Sequence, residues 1–527
     1  MRMPAEFALE TIAAAVQAGL TVFDTARAYD DNESLVVRGL RLASAVDTAR
    51  IVTKGGMRPT QGRWIPDGRA KAIRADCEAS LTALDGLEID LYLIHAPDPA
   101  TPWQTSVRAL ARLVDEGLVK RVGVANVNRR QLDEAVELAP IAAVQVALSV
   151  HDDTALRGGI VERGEELGIA VIAHSPLGGT RRAGRLAREG LAEAALAWLL
   201  ELSPAVVAIP GARRPETARS AANAAKLRLN ARHREALGLS RPGRRSRPRG
   251  DGDVVVVMGI PGAGKSRVAE EYVARGYVRL NRDELGGTLR DIAAALDKQL
   301  SSGSRRVVLD NTYLTRASRS YAIEAAGRHG VAARCIWLDA SLAQAQVNLV
   351  ERLLERFGSL PTPEALRARA KLEPGLLAPT SQMRALRELE PPDADEGFAD
   401  VDHVAFERAS PSRGARGVFV AAAAVEHVEA TRSRAPHLVF DWQPGNKPDV
   451  LDDAVSELAA NVSGHVESAL CPHPGGPPIC WCRPPLPGLL LAFARVHGVD
   501  PSRSTVIGSS PAHRTLATTL GARYVSV

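Results

Sequence analysis

Eight consecutive residues, Gly259-Ile260-Pro261-Gly262-Ala263-Gly264-Lys265-Ser266, have the types and spacing that hold a nucleotide's phosphates. Glycines let backbone N–H groups close around an anion, and a helix starting there adds partial positive charge. In that arrangement Lys265 reaches the β- and γ-phosphates and the Ser266 hydroxyl ligates Mg²⁺. The loop follows an apolar run, Val254 to Met258, that reads as a buried parallel strand, and it opens the helical pattern RVAEEYVARG. Strand, glycine-rich turn and helix in that order predict ATP or GTP binding; the competing reading is a turn that binds nothing.

A second constellation is CPHPGGPPICWC, which places Cys471, His473, Cys480 and Cys482 within twelve positions. Three thiolates and one imidazole suit a closed tetrahedral Zn²⁺ site. With every position filled by protein such a site is structural, because catalytic zinc keeps an open coordination place. The competing reading is inert core cysteine.

These groups need elements to position them, and 527 residues allow about three domains. Hydrophobic content of 45% and charged content of 24% are ordinary for a globular protein. No apolar run approaches the ~20 residues of a membrane span, and the N-terminus carries no signal-peptide pattern, so the cytoplasm is the expected location. Five cysteines in so long a chain do not make a disulfide scaffold. A net charge of +5 tolerates a polyanionic partner without requiring one. The arginine-rich stretch from Arg241 to Gly250 reads as a basic linker, either merely solvated or touching nucleic acid. The expected layout is 1–232, a linker at 233–250, then 251–408 and 409–527.

In the first of these segments, seven short apolar runs alternate with helical stretches: TVFDTA, RIVTKG, IDLYLIHA, RVGVAN, AAVQVAL, AVIAHSP and AVVAIPG. Several end in a polar group, where a (β/α)₈ TIM-type barrel places its chemistry. FDTARAY, VTKGG, LYLIHAPD, GVANV, HSPLGG and IPGARRPE resemble the aldo-keto reductase family across nearly this whole third. That resemblance implies a catalytic tetrad of Asp24, Tyr29, Lys54 and His95 acting on a small carbonyl substrate. Tyr29 would give a proton to the alkoxide left by hydride transfer, and Lys54, paired with Asp24, would lower the tyrosine's pKa. His95 would orient the carbonyl. The resemblance also implies NADPH, with Asn126 and Gln145 on the nicotinamide amide, Ser175 and Leu177 near the pyrophosphate, and Arg213 and Arg214 for a 2′-phosphate. The sequence departs from the family in three places. His174 stands where many members carry a stacking aromatic, the stretch between Gly179 and Ala195 is short for its usual helix content, and the first barrel strand is expected to be truncated.

Beyond the phosphate loop, GYVRLNRDE places Asp283 after one strand candidate, and RRVVLDNTYLTRASR places Asp310, Asn311 and Thr312 after another. The arrangement resembles the kinase module of polynucleotide kinases, a P-loop α/β/α sandwich. The resemblance implies that Asp283 accepts the proton of a 5′-hydroxyl on RNA or DNA, that Asp310 helps hold the acceptor or Mg²⁺, and that a lid arginine, Arg352 or Arg356, clamps the phosphates. Asp283 could otherwise cap the next helix or bind metal. Where the family often carries an arginine after N-R-D, this chain has Glu284, Leu285, Gly286 and Gly287, and Arg290 is the nearest candidate. A small-molecule kinase is therefore the alternative.

The last third, with its zinc loop and CRPPLPG element, resembles haloacid-dehalogenase-type phosphatases of the histidinol- and heptose-phosphatase branch, a small α/β fold. The family's acids are absent. Alanines from Ala421 to Ala424 follow the first strand, Pro484 replaces the lysine, and Gly508-Ser509-Ser510-Pro511-Ala512-His513 replaces the acidic metal element. Asp441 stands at the next strand end. An alanine can neither form an aspartyl-phosphate nor hold Mg²⁺, so a zinc-stapled pseudo-phosphatase is expected. Three functions follow: a kinase fused to a reductase, a reductase gated by a nucleotide-binding module, or a non-catalytic nucleic-acid repair scaffold.

Overall fold

The computed structural model describes residues 5–60, 62–239, 252–370, 373, 375–405, 414–429 and 434–527. The chain divides into two compact units, Met1–Arg244 and Arg245–Val527. The arginine-rich stretch expected as a linker lies outside the described residues.

All seven strand candidates of the first unit form strands: β1 (Val22–Asp24), β2 (Arg50–Gly55), β3 (Leu91–Ile94), β4 (Val122–Ala125), β5 (Ile141–Ala147), β6 (Ala170–His174) and β7 (Val206–Ile209). They pair in parallel and in sequence order, with helices between them, as in a TIM-type barrel. Side chains of the inner strands, as on β3 and β4, are buried because helices cover one face and the barrel interior the other. Among the described residues β1 and β7 do not pair with each other, and Val22 and Val207 on these edges are exposed. The Ala5–Gln17 helix instead packs on the Pro215–Ala224 helix through Ala14, Ala15 and Ala218. The short stretch after Gly179 still forms helices at Thr180–Arg188 and Ala192–Leu202.

The second unit holds two five-stranded parallel sheets. The first contains β8 (Asp253–Met258), β9 (Val278–Asn281), β10 (Val307–Asp310), β11 (Ala332–Asp339) and β12 (Asp400–Ala405), in the order β9-β10-β8-β11-β12. β8 sits centrally because Val254 to Met258 are apolar on both faces and fully buried. Such a sheet binds ligands beyond the C-terminal ends of its strands, where the order reverses, and β8 ends at the phosphate loop. The second sheet contains β13 (Val418–Ala421), β14 (His437–Trp442), β15 (Val466–Cys471), β16 (Thr505–Gly508) and β17 (Arg523–Ser526), in the order β15-β14-β13-β16-β17.

The Leu342–Phe357 helix shares one hydrophobic core with the second sheet of this unit. Val347, Val350, Leu353 and Leu354, on the Leu342–Phe357 helix, pack in the same cluster as Phe419, Phe440, Trp481 and Leu490. The helix that carries Arg352 and Arg356 is thereby built into the core of the final sheet.

Candidate functional site

Six strand ends of the first unit converge. Asp24 closes β1, and its Oδ2 accepts from Lys54 Nζ on β2 at 2.6 Å. Lys54, 1% exposed, also donates to the Thr25 carbonyl at 2.7 Å. Gln145 on β5 donates to the other Asp24 oxygen at 2.7 Å. The Tyr29 ring centroid lies 5.2 Å from Lys54 Nζ and 5.6 Å from that of His95, which it meets edge-on. Asn126 donates to the His95 carbonyl at 2.9 Å, and its Oδ1 stands 2.9 Å from His174 Nε2. His174 Nδ1 lies 3.3 Å from Ser175 Oγ. Asn126 and Ser175 hold left-handed backbone, with φ of 57° and 51°, strain of the kind that gathers at functional sites. Leu177 is half-buried against the barrel core, while Arg213 and Arg214 stand exposed at the N-terminus of the Pro215–Ala224 helix.

Burial first, then Lys54 and His174, push the His95 pKa down to about 4, so its imidazole is neutral at pH 7. The expected lowering of Tyr29 is corrected: burial, and then the Asp24 carboxylate, raise its pKa above 10.0. The physical reason is that burial penalises the phenolate first, and the nearby Asp24 carboxylate, paired with Lys54, disfavours it further. Lys54 is itself lowered by burial.

In the second unit, Gly259, Gly262 and Gly264 all take positive φ. A Cβ on Gly262 would lie 2.4 Å from the Ala345 carbonyl, so that position requires glycine. Lys265 begins the Lys265–Ala274 helix and Ser266 is exposed beside it. Lys265 Nζ donates to the Gly259 and Ile260 carbonyls, each at 3.0 Å. Its pKa falls to about 8 through burial, with Asp310 and Asp283 opposing and Arg352 adding to the fall.

Asp283 is exposed, and capping is done by its neighbour: Asn281 Oδ1 accepts the Asp283 N–H at 2.7 Å. Asp310, by contrast, is 3% exposed, and its Oδ2 accepts from Arg279 Nη2 at 2.5 Å and Asn281 Nδ2 at 2.9 Å. Its carboxylate thus organises the N-R-D strand end. The two lid candidates differ. Arg352 is exposed and close enough to perturb Lys265, whereas Arg356 is paired with Glu373. Arg290 stacks on Tyr321 and donates to its hydroxyl at 2.9 Å.

Residues 1–190 match the aldo/keto reductase family model, and residues 254–374 match that of an AAA domain. Residues 1–190 carry an aldo-keto reductase domain. Aldo-keto reductase str7 of Strobilurus tenacellus is 36% identical over 167 residues, covering 31% of this chain and 48% of that protein. Probable aldo-keto reductase 1 of Glycine max is 35% identical over 176 residues, covering 32% and 49%. The chain spans about half the length of these curated relatives. Among solved structures, glycerol dehydrogenase from Gluconobacter oxydans aligns at 25% identity with a TM-score of 0.38, over 44% of this chain and 83% of that one.

Two side chains that touch the phosphate loop of the AAA-type domain carry no motif. Asn348 donates to the Gly262 carbonyl at 2.8 Å, and the fully buried Gln382 donates to that of Pro261 at 2.9 Å. Both come from helices far along the chain, so no local pattern marks them; nor did one mark Arg279.

The Cys471, His473, Cys480 and Cys482 side chains meet at the end of β15, with ligand atoms all within 4.8 Å of one another. Sγ of Cys471 lies 3.7 Å from that of Cys480 and 3.3 Å from that of Cys482, while His473 Nδ1 is 3.5 Å from Cys471 Sγ and 3.2 Å from Cys482 Sγ. None of the three cysteines forms a disulfide. Ligands about 2.1–2.3 Å from a tetrahedral zinc stand at just such mutual distances, so the donor set fits the ion. Between two of these ligands, Trp481 is 3% exposed and donates to the Leu377 carbonyl at 2.9 Å. No described helix of either unit is long and apolar enough to cross a membrane.

Proposed function

We propose that the AAA-type module transfers the γ-phosphoryl group of ATP to a hydroxyl, with 5′-hydroxyl ends of RNA or DNA as the acceptor class. The observation that carries this reading is the division of labour at the N-R-D strand end. Asn281 caps the turn and Asp310 anchors it, so the exposed Asp283 carboxylate is spared the capping role while staying within electrostatic reach of the phosphate-loop lysine. As the acceptor oxygen bonds to phosphorus and the bond to the β–γ bridging oxygen breaks, Asp283 takes the hydroxyl proton and ADP leaves. Lys265 and Arg352 bear the charge on the transferring group, and the Ser266 hydroxyl would hold Mg²⁺, which would supply further charge neutralisation. Incubating the full chain with γ-labelled ATP and 5′-hydroxyl oligonucleotides tests the acceptor class. Label on the oligonucleotide supports it; label only on small hydroxyl compounds makes the module a small-molecule kinase.

The convergence of Asp24, Tyr29, Lys54, His95 and Gln145 favours a second activity, NADPH-dependent reduction of a carbonyl. NADPH supplies the hydride when bound. Asn126 and Gln145 suit its amide, Ser175 and Leu177 its pyrophosphate region, and Arg213 and Arg214 its 2′-phosphate. Tyr29, held protonated by its raised pKa, gives a proton to the reduced oxygen, and neutral His95 orients it. Quenching of NADPH fluorescence by the full chain tests this reading; an unchanged signal would contradict it.

The final sheet is read as a haloacid-dehalogenase-like scaffold without hydrolytic activity. Its central strand ends in Ala421, and both oxygens of Asp441 accept local hydrogen bonds, from the Trp442 N–H and from Gln443, each at 2.7 Å. The Cys471–His473–Cys480–Cys482 site would hold Zn²⁺ as a structural staple.

A further inference from the structure

At the other end of β15 from the cysteine cluster, three side chains from two segments of the chain face one another. His465 immediately precedes the strand, and Glu467, two residues on, shares its face. His497 ends the Gly488–His497 helix, whose chain turns away through Gly498 at φ 60°. Glu467 presents a different oxygen to each imidazole: Oε2 lies 3.4 Å from His465 Nε2, and Oε1 lies 3.2 Å from His497 Nε2. The two imidazole centroids are 5.2 Å apart, and all three ligand atoms fall within 4.8 Å of one another.

An ordinary surface ion pair accounts for this arrangement poorly. His497 Nε2 is out of solvent, yet its approach to Glu467 does not make a hydrogen bond. That nitrogen therefore stands beside the Glu467 carboxylate without a hydrogen bond. The ring is fixed there by Phe493, whose centroid is 4.4 Å away. The chain has only 12 histidines, and two of them meet here from positions 465 and 497. Ligands about 2.0–2.2 Å from one tetrahedral ion stand about 3.4 Å apart, which matches both histidine–carboxylate separations. The carbonyl end of the Gly488–His497 helix adds partial negative charge that favours a cation.

We infer that His465, Glu467 and His497 form a second metal site, for a divalent transition ion such as Zn²⁺ or Ni²⁺. Two imidazoles and one carboxylate are a borderline donor set, poorly matched to Mg²⁺ or Ca²⁺, which prefer all-oxygen shells. Three protein ligands leave a coordination place open, unlike the closed cysteine cluster. The two sites are separate: Glu467 and Cys471 are four residues apart on one strand, about 13 Å at 3.3 Å per residue. An ion at this second site would clamp the edge strand β15 to the end of the Gly488–His497 helix.

Equilibrium dialysis of the metal-free full-length chain against Zn²⁺, with bound metal counted, tests the site. The wild-type chain should retain two equivalents. His465→Ala and Glu467→Gln, both at exposed or half-exposed positions, should keep the tighter equivalent and weaken the other at least the ~10-fold that even an outer partner is worth. Cys480→Ser should lose the tight equivalent and keep the one sensitive to His465. Cobalt substitution separates the two by colour, because only the cysteine site gives thiolate charge-transfer absorption. A second equivalent that is absent, or that His465→Ala and Glu467→Gln leave unchanged, would overturn the inference whatever the cysteine cluster does.

Discussion

Asn281 accepts the backbone N–H of Asp283 at 2.7 Å, so the asparagine, and not the aspartate, closes the start of the Arg282–Leu285 turn. The same side chain donates to Asp310 at 2.9 Å, tying the turn to the neighbouring strand end. Removing it should therefore loosen Asp283 without touching its chemistry. Asn281→Ala is expected to cost about 1 kcal/mol of stability, as a lost cap does. Phosphoryl transfer should fall up to about 100-fold, as for a misplaced reacting group. Chemical denaturation and single-turnover transfer kinetics check the two effects separately.

Lys265 makes nucleotide binding depend on pH. In the free chain its pKa is depressed to about 8, so above that pH it loses the charge that attracts phosphate. ATP affinity should be level below about pH 8 and fall roughly tenfold per pH unit above it. Stability moves the other way. The unfolded lysine, at 10.5, binds its proton more tightly than the folded one, so stability rises as pH climbs from about 8 toward 10.5. Lys265→Met should stabilise the second unit at neutral pH, and that advantage should shrink across this window. Titrations of ATP binding and of unfolding at several pH values measure both.

In the aldo-keto reductase domain, His95 with a pKa of about 4 stays neutral and Tyr29 stays protonated throughout the neutral range. Carbonyl reduction should accordingly show no ionisation between about pH 5 and 9 that belongs to either group. Tyr29→Phe should lower the rate by about 10²–10⁴-fold while leaving NADPH binding unchanged. Steady-state rates alongside fluorescence titration of NADPH distinguish lost chemistry from lost binding.

Trp481 links the cysteine cluster to the segment leading to the phosphate loop: its indole N–H donates to Leu377, and Gln382 a few residues on donates to Pro261. Chelation of the cluster metal, or Cys471→Ser, should lower the melting temperature of the second unit and weaken ATP binding together. Trp481→Ala should cost about 3–5 kcal/mol, as for other buried aromatics. Calorimetry and ATP titration before and after chelation check the coupling.

The parts of this molecule that can be read from its sequence are those in which chemistry and backbone lie in one continuous stretch. The loop from Gly259 to Ser266 and the seven barrel strands follow from local apolar runs and glycine positions. Asn348, Gln382 and Arg279 were invisible because their roles depend on where distant helices and strands land. The Arg356–Glu373 ion pair, which sets the two lid candidates apart, is something no helical spacing reveals. For Tyr29 the residue types predict a cation beside it, whereas its pKa is set first by how deeply the fold buries the phenol and then by the Asp24 carboxylate, and neither is legible in local sequence.

The most direct measurement is the rate of label transfer from ATP to a 5′-hydroxyl oligonucleotide by the wild-type chain and by Asp283→Asn, with ATP affinity measured on both. The Asp283 role predicts a fall of about 10²–10⁴-fold in transfer with ATP affinity unchanged. Equal transfer by the two proteins would contradict it.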